Sequence, residues 1–386
     1  MKGNNPCLLL LNDIHVSKDN IPAFRANWQE ALDICREHGV KEIAVGGDLF
    51  FSRAAQTLDV LLAVHDILLD AAAQGVHVTL AEGNHDKVNQ ESVRGYCHVF
   101  DRFPGVSVVD EYSRIENPGW SFVMHLMGYF PEDGSFTEKL ARLKKEALDQ
   151  ERLNFLYVHE GINGALAQPS EKELPVKIFG EFDRVFVGHY HNRTVIPRTR
   201  IEYIGSSRQH NFGEDEEKGY TLLHADGSHE FIKNRVNVRY RVLDVPVECA
   251  GLHLADELRE MEADGRYKVK VRVHAPAAAM KTVDKNALLE AGAAKVELVA
   301  DDEQAVEAAS SSLFEKFDSH RIREAYETFC REKRIEDVET GLEYLSKIKS
   351  RTDHVETETY RSGKPVRFPL AGIHAAPGGD HPDFRG

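Results

Sequence analysis

Short apolar runs and helical stripes alternate along the first hundred residues of the chain. Leu8–Leu11, Glu42–Val45 and Val76–Leu80 are continuous or alternating apolar runs, which are typical of strands. Between them, Ala23–Glu37 and Leu58–Leu69 repeat apolar side chains every three or four residues, which is typical of helices. Strands separated by helices of this length predict parallel strands joined by right-handed crossovers.

From Val106 onward the pattern is richer in strands, with one helix predicted over Lys139–Gln150. The predicted strands are Val106–Val109, Phe122–Leu126, Asn154–Val158, Arg184–Val187, Ile201–Ile204 and Tyr220–His224. We therefore predict an α+β fold whose first domain, residues 1–232, is a two-layer strand core flanked by helices.

A second region begins near Arg239 and predicts a small α+β domain over residues 233–305. Its predicted elements are the strands Arg239–Val245, Tyr267–Val273 and Val296–Val299 and the helices Leu252–Met261 and Lys281–Ala291. Apolar stripes then predict two helices within residues 306–350. Periodicity is lost over residues 351–386, which we expect to be a flexible tail.

Composition narrows the class of protein without deciding its function. Hydrophobic residues are 42% and charged residues 29%, which excludes a wholly disordered chain. No apolar run approaches the roughly 20 residues of a membrane helix, and Cys7–Leu11 is too short for a signal-peptide core. Five scattered cysteines without a Cys-x-x-Cys pair favour reduced thiols. We expect a cytoplasmic protein that does not contact a membrane.

The chain is acidic, with 48 basic against 63 acidic side chains and a net charge of −15. Nucleic-acid phosphates need local positive charge, so this balance is not typical of a free-standing nucleic-acid binder. If nucleic acid is the substrate, then metal ions, a local basic patch or a partner must supply the attraction.

Five short polar motifs each follow a predicted strand, in a fixed order. They are Asp13-Ile14-His15, Gly47-Asp48, Gly83-Asn84-His85-Asp86, His159, and Gly188-His189-Tyr190-His191. Ligands collect beyond the carboxyl ends of parallel strands, so we expect these residues to meet at one rim. The alternative, that they are only turn and cap residues, is strongest for His159, which no motif surrounds.

The residue types in these motifs favour two divalent cations. Carboxylate, imidazole and amide ligands suit Mn²⁺, Fe²⁺ or Zn²⁺ better than a soft thiolate set does. A single aspartate, Asp48, can bridge two ions ~3.5–4 Å apart, the separation used in phosphoryl chemistry. Such ions neutralise a phosphodiester, and the leaving oxygen then needs a proton or a positive neighbour. His85, beside Asn84, is placed for that role.

Taken together, the five motifs resemble the signature of the calcineurin-like metallophosphoesterases. A further stretch resembles the SbcD-type branch, the DNA double-strand-break nucleases that work with an SMC-like ATPase. This stretch comprises Tyr203-Ile204-Gly205-Ser206, Phe212, Glu214 and Lys218-Gly219, and Asp48-Leu49-Phe50 with Ser52-Arg53 is similar to the same branch. The resemblance covers residues 8–224.

The resemblance implies a two-layer β-sandwich metallophosphoesterase core with a small α+β capping domain and C-terminal helices. It also implies two divalent ions, Mn²⁺ in the first place and Fe²⁺, Zn²⁺ or Mg²⁺ as alternatives. One implied ligand set is Asp13, His15, Asp48 and His191. The other is Asp48, Asn84, His159 and His189.

Roles for two further residues are implied by the same resemblance. His85 would not bind metal but would stabilise or protonate the leaving oxygen, and Asp86 would fix the tautomer of His85. One departure stands out, because many relatives carry Asp or His directly after Gly-Asp-x-Phe and this chain carries Phe51. A polar group that positions phosphate is therefore missing or supplied by another residue. This difference concerns the rate of hydrolysis and the exonuclease activity, and not the binding of metal.

The implied activity is that of the exonuclease and endonuclease subunit of an SbcCD-like DNA repair and recombination complex. Its implied partners are DNA, an SbcC-type coiled-coil ATPase docking on residues 306–350, and a second copy of the chain. Arg53 and Arg208 are the candidates for contact with DNA phosphates, against the alternative of solvated loop charge. Two simpler expectations accompany these: an acidic, solvated turn over residues 213–217, and core positions for Leu58, Leu61, Leu62 and Leu69.

Two other functions stay open on sequence grounds. A phosphoesterase of a nucleotide or small phosphate ester needs the same metal residues, and the acidic net charge favours it. A metal-free interaction scaffold on the same fold is the third possibility, which uptake of no Mn²⁺ would support.

Overall fold

A computed structural model describes residues 4–166 and 172–300, together with the single positions 330 and 338. Every strand and helix named below belongs to one compact unit, Met1–Asp301. The helices predicted within residues 306–350 and the tail predicted for residues 351–386 lie outside the described residues. They therefore stay predictions.

The first half of the chain alternates strands and helices. In chain order its elements are β1 (Pro6–Leu11), α1 (Ile21–His38), β2 (Glu42–Gly46), α2 (Leu58–Ala73), β3 (His77–Ala81), β4 (Val106–Val108), β5 (Tyr112–Ile115), β6 (Phe122–Met127), α3 (Phe136–Glu146) and β7 (Leu153–His159). The first helix has a proline in its opening turn and ends at Gly39, whose positive φ of 69° is typical of a helix C-terminus.

The rest of the described chain is dominated by strands. Its elements are β8 (Arg184–Gly188), β9 (Thr194–Val195), β10 (Ile201–Tyr203), β11 (Gly219–His224), β12 (His229–Lys233), β13 (Arg239–Pro246), α4 (Leu252–Asp264), β14 (Tyr267–Ala275), α5 (Lys285–Glu290) and β15 (Ala293–Ala300).

Two six-stranded sheets form the main core. The first has the order β12-β11-β1-β2-β3-β4. Strands β1 to β4 are parallel, β11 is antiparallel to β1, and β12 is antiparallel to β11. The second has the order β5-β6-β7-β8-β10-β9, with a parallel centre and an antiparallel strand at each edge. Parallel pairing directs the carboxyl ends of the central strands of each sheet toward one edge of that sheet.

Alternate leucines of β1 bury two different faces. Leu8 and Leu10 pack between the two sheets, in a cluster that includes Phe122 and Phe155 of the second sheet. Leu9 and Leu11 point the other way, into the cluster formed with α1 and α2. Because a strand alternates its side chains, a run that is apolar at every position must be covered on both faces. The predicted two-layer β-sandwich flanked by helices is therefore confirmed.

A smaller parallel sheet, β13-β14-β15, carries its own apolar core beneath α4 and α5. Leu258 and Val271 are fully buried in it. The sheet is joined to the preceding loop by a reciprocal pair of hydrogen bonds, since the Gln209 amide donates to the Tyr240 carbonyl and accepts from the Tyr240 N–H. The exact boundaries of a separate domain over residues 233–305 stay a prediction.

Several details differ from the pattern in the sequence. The edge strands β5, β9 and β12 were not predicted, because each is short and one face lacks an apolar partner. The expectation that the leucines of α2 are core residues is wrong for three of them: Leu58, Leu62 and Leu69 are 69%, 48% and 41% exposed. Within the described residues, no helix is long and apolar enough to cross a membrane.

Candidate active site

The polar motifs of both sheets lie at the carboxyl ends of parallel strands. The loops that follow these strands bring eight side chains together around one pocket. They are Asp13 and His15 after β1, Asp48 after β2, Asn84 and His85 after β3, His159 at the end of β7, and His189 and His191 after β8. Distances between these side chains show that the motifs converge, as the sequence predicts.

Four of these residues have a left-handed backbone that non-glycine residues rarely adopt. The φ angles are 50° at Asp13, 50° at His15, 53° at Asp48 and 90° at His189. Each such residue costs of order 1 kcal/mol or more, and such strain concentrates at functional sites. Main-chain hydrogen bonds between the loops stabilise this strained backbone. One of them is donated by the Asp13 N–H to the Gly47 carbonyl at 3.0 Å.

One side of the pocket is built from three imidazoles and two carboxylates. His15 Nε2 lies 3.1 Å from His191 Nε2 and 3.6 Å from Asp48 Oδ2. His159 Nε2 lies 3.2 Å from the same Asp48 oxygen and 3.8 Å from Asp13 Oδ1. Asp48 Oδ2 is therefore shared between His15 and His159.

The other side is reached by the loop after β8. His189 Nδ1 lies 3.1 Å from Asn84 Oδ1, and the His189 N–H donates to both carboxylate oxygens of Asp13 at 3.2 and 3.1 Å. Asn12 also donates to the Asp13 carboxylate. These contacts tie β1, β3 and β8 to one centre.

Three groups of side chains could each hold a metal ion, because their ligand atoms lie within 4.8 Å of one another. The groups are Asp13 with His15 and His191, His15 with Asp48 and His85, and Asp13 with Asp48 and His159. The second group brings His85 within reach of a cation, although the sequence assigns it another role.

Backbone and side-chain acceptors fix which nitrogen of three imidazoles faces the pocket. His15 Nδ1 lies 3.3 Å from the Phe50 carbonyl oxygen, and His159 Nδ1 lies 3.2 Å from the Gly46 carbonyl oxygen. His191 Nδ1 lies 2.8 Å from a carboxylate oxygen of Glu214. Since these oxygens only accept, Nδ1 of each ring donates to them, which directs Nε2 toward the pocket.

Charge within the pocket shifts the pKa values of its members strongly. Burial alone would raise the pKa of Asp48, but His159, together with His15 and His85, outweighs burial and holds it well below its usual value. Burial alone would lower the pKa of His159, but Asp48 and Asp13 raise it to about 9. Burial, with the charge of His159 next, lowers the pKa of His189 to about 3. Burial raises the pKa of Asp13, so Asp48 is the carboxylate that the pocket holds ionised and ready to bind a cation.

The tautomer of His85 is not set by Asp86, so that expectation is corrected. His85 Nδ1 lies 2.6 Å from the Phe51 carbonyl oxygen. The Asp86 carboxylate is fully buried and accepts from the backbone N–H groups of Phe50 and Gly83, both at 2.8 Å, and more weakly from Leu49. Asp86 thus fastens the loop after β2 to the turn after β3, and a backbone carbonyl orients His85.

The two arginines predicted to contact phosphate lie in different surroundings. Arg53 is exposed, and its charge reaches the pocket closely enough to contribute to the lowered pKa of His189, after burial and the charge of His159. Arg208 is only 5% exposed, and its Nη2 donates to the backbone carbonyls of Ile14 and His15 at 2.9 and 3.3 Å. These bonds hold the loop that carries His15, and phosphate contact by either arginine stays a prediction.

Two residues beside the pocket were not assigned a place in it from the sequence. Glu214 was expected in a solvated turn, but it is largely buried and accepts from His191 Nδ1 and from the His210 N–H at 3.0 Å. His210 lies with Nε2 2.8 Å from the Asp13 carbonyl oxygen, and its ring is 5.0 Å from that of His191. The Phe-x-Glu element of the family resemblance is the signal that pointed to Glu214.

Comparisons with known proteins agree with this geometry. The model of the calcineurin-like phosphoesterase family matches residues 8–193, which include every one of the converging side chains. Protein 244L of Invertebrate iridescent virus 6, named for a proposed phosphoesterase activity, is 26% identical over 227 residues, 57% of this chain and 76% of that protein. The SbcD component of the SbcCD nuclease of Staphylococcus saprophyticus is 29% identical over 112 residues, only 25% of this chain and 30% of that protein.

Two solved structures are also similar. A nuclease named MPE from Pseudomonas putida has 19% identity and a TM-score of 0.24, covering 50% of this chain and 66% of that one. A dimetal phosphatase from Danio rerio has 11% identity and a TM-score of 0.35, covering 60% and 99%. Over residues 8–193 the chain is similar to the calcineurin-like phosphoesterase family, and the protein is a metal-dependent hydrolase.

Proposed function

We propose that this protein is a two-metal phosphodiesterase acting on DNA, the exonuclease and endonuclease subunit of an SbcCD-like repair and recombination complex. The observation that carries the proposal is the convergence of imidazole nitrogens and carboxylate oxygens inside one pocket. His15 Nε2 and His191 Nε2 are 3.1 Å apart, and both rings carry their protons on Nδ1. Two nitrogens at this distance share either a proton or a cation, and the adjacent carboxylates of Asp13 and Asp48 complete a set of ligands for a cation.

The residues present fit a pair of divalent cations. Nitrogen ligands about 2.1 Å from one ion are roughly 3–3.4 Å apart, which matches the His15–His191 separation. His159 Nε2 is a fully buried nitrogen whose neighbours are carboxylate oxygens of Asp48 and Asp13, at 3.2 and 3.8 Å, and it lacks a well-aligned partner. A metal ion would supply it.

The family resemblance implies two ligand sets, with Asp48 common to both, and we adopt them here. We assign the first to Asp13, His15, Asp48 and His191 and the second to Asp48, Asn84, His159 and His189. The mixture of carboxylate, imidazole and amide ligands suits Mn²⁺, Fe²⁺ or Zn²⁺. The family resemblance puts Mn²⁺ first, with Mg²⁺ as a further alternative. When bound, such cations polarise phosphoryl oxygens and acidify water at neutral pH.

His85 then serves the leaving oxygen. The backbone N–H of His85 donates to Asp48 Oδ1 at 2.8 Å, and the ring Nδ1 donates to the Phe51 carbonyl. These two bonds hold the ring at the edge of the metal residues. The ring is only partly buried, and with Nδ1 engaged, Nε2 is the atom that can hold a proton toward a substrate. A protonated imidazole there stabilises or protonates the departing alkoxide.

Three observations support DNA as the substrate and an ATPase as the partner. Residues matching the SbcD-type branch surround the pocket, part of the chain is similar to the SbcD component of an SbcCD nuclease, and Arg53 is exposed beside the pocket. The proposed ATPase contact uses residues 306–350, which lie outside the described residues. A cytoplasmic location, expected from the sequence, stays a prediction.

A homodimer forms part of the proposal, and the exposed leucines of α2 support it. Leu58, Leu62 and Leu69 share one face of the helix, and burying such side chains against a second copy removes apolar surface from water. Leu62→Glu is expected to reduce the mass measured by light scattering from two chains to one. The equally exposed Leu289→Glu, on α5, should leave the mass unchanged; dimers that survive Leu62→Glu contradict this interface.

The acidic net charge of −15 favours a second candidate function, hydrolysis of a nucleotide or small phosphate ester. Incubation with Mn²⁺ and end-labelled duplex and hairpin DNA separates the two. We expect DNA degradation by the wild type and none by Asp48→Asn, which controls for contaminating nucleases. Rapid hydrolysis of bis-p-nitrophenyl phosphate with intact DNA, even after addition of an SbcC-type ATPase, would support the small-ester function instead.

A further inference from the structure

An exposed aromatic ring stands at the edge of the metal residues. Phe51 is 57% exposed, and among the phenylalanines that the structure describes within residues 4–300 it alone is exposed. Its neighbour Phe50 is fully buried. Phe51 also occupies the position at which the sequence departs from the family pattern, where a polar residue was expected.

The backbone on both sides of Phe51 is fixed. Its N–H donates to the Val16 carbonyl at 3.0 Å, and its own carbonyl accepts from His85 Nδ1 at 2.6 Å. The preceding residue is fixed by the Asp86 carboxylate, which accepts from the Phe50 N–H at 2.8 Å. The ring is therefore exposed on a rigid loop, although burying it would remove apolar surface from water.

The position of the ring relates it to the proposed chemistry. Its centroid is 6.1 Å from that of His85 and 6.0 Å from that of His15. Isolated exposed apolar side chains are common on protein surfaces and need no special explanation. A rigid aromatic ring one side chain away from the group proposed to face the leaving oxygen is different, since the nucleotide that flanks the scissile phosphate would lie within its reach.

We propose that Phe51 is a stacking platform for an unpaired base next to the scissile phosphate. The inference rests on the proposed function and specifies it, because the substrate is then a strand whose bases are free at the cut. Every base offers a flat face, so stacking on an aromatic ring tolerates any sequence. The exposed Arg53, two residues later, lies on the same loop to meet the backbone phosphates.

The test compares two single strands of equal length in Mn²⁺, an oligothymidylate and an oligonucleotide of tetrahydrofuran abasic residues. We expect the wild type to prefer the strand with bases, as measured by the ratio of the two kcat/KM values. Phe51→Ala should lower this ratio about tenfold, the loss of one stacked base. Phe51→Tyr, which keeps a flat ring and the same backbone, should retain it, and so should Val195→Ala, whose side chain is equally exposed.

The possible outcomes distinguish the two levels of the proposal. If Phe51→Ala lowers both kcat/KM values equally, or neither, Phe51 does not stack on a base and the inference is overturned. A wild type that cleaves both strands without preference overturns it as well, while the nuclease function stands. A wild type that hydrolyses bis-p-nitrophenyl phosphate but neither strand overturns the proposed function, and the inference with it.

Discussion

The imidazole of His85 is within reach of the metal residues, and a backbone carbonyl holds its Nδ1. If it serves the leaving oxygen, His85→Ala should keep the metal and lose about 10²–10⁴-fold of the hydrolysis rate, the usual contribution of acid–base groups. Metal content by mass spectrometry and hydrolysis of bis-p-nitrophenyl phosphate check both parts. His253→Ala, on the exposed face of α4, is the control. Metal loss that parallels the rate loss would make His85 a ligand.

Glu214 is predicted to act through His191. Its carboxylate holds the proton of His191 on Nδ1, so that Nε2 stays available for a metal ion. Glu214→Gln should therefore weaken Mn²⁺ binding about 10- to 100-fold, measured by isothermal titration calorimetry. Glu217→Gln, at an exposed position in the same turn, should bind Mn²⁺ like the wild type. Equal affinities for all three proteins would show that Glu214 has no such role.

A pH dependence of stability is expected at His98, away from the pocket. Burial alone lowers the pKa of His98, but contacts with Glu82 and Asp110, at 3.2 and 3.1 Å, outweigh burial and raise it. A pKa raised by folding stabilises the fold below the unfolded value of about 6.5, and this stability is lost as pH rises through the folded value.

His98→Gln should therefore reduce the free energy of unfolding most below about pH 6 and progressively less toward pH 8. Urea denaturation of both proteins across this range measures the difference. A difference that grows with pH would mean that His98 is buried in its neutral form.

At the scale of elements, the loops after the parallel strands determine how closely the motifs approach. A side-chain carbon at Gly83 would collide with the carboxylate of Asp48. Gly83→Ala is therefore expected to displace Asp48 and to lower metal uptake at least tenfold, whereas Gly251→Ala, which meets no atom within 4 Å, should not. Equilibrium dialysis with Mn²⁺ tests both variants, and normal uptake by Gly83→Ala would place Asp48 outside the metal centre.

Strands buried on both faces were the elements that the sequence predicted best. Leu8–Leu11 and its neighbours are apolar at every position because helices cover one face and the second sheet covers the other. Edge strands such as Thr194–Val195 lack a continuous apolar run of this kind. Helical spacing in α2 correctly predicted a helix but not which leucines would be covered, because coverage depends on what packs against the helix.

At the scale of the whole molecule, the sequence predicted those site residues that belong to short local motifs. Asp13, Asn84 and His189 could be placed at one rim because each follows a parallel strand. Contacts between distant segments could not be predicted in this way. Examples are the hydrogen bonds of the Asp86 carboxylate to the loop after β2 and of Arg208 to the loop after β1. These partners are 36 and 194 residues apart, and no periodicity in the chain encodes them.

The number of Mn²⁺ ions bound per chain tests the central claim most directly. Equilibrium dialysis followed by mass spectrometry of the metal should give two ions for the wild type. Asp48→Asn, which weakens the ligand that both sets share, should reduce the occupancy of both ions together. One ion per chain, no ion, or an occupancy that Asp48→Asn leaves unchanged would contradict a shared two-metal centre.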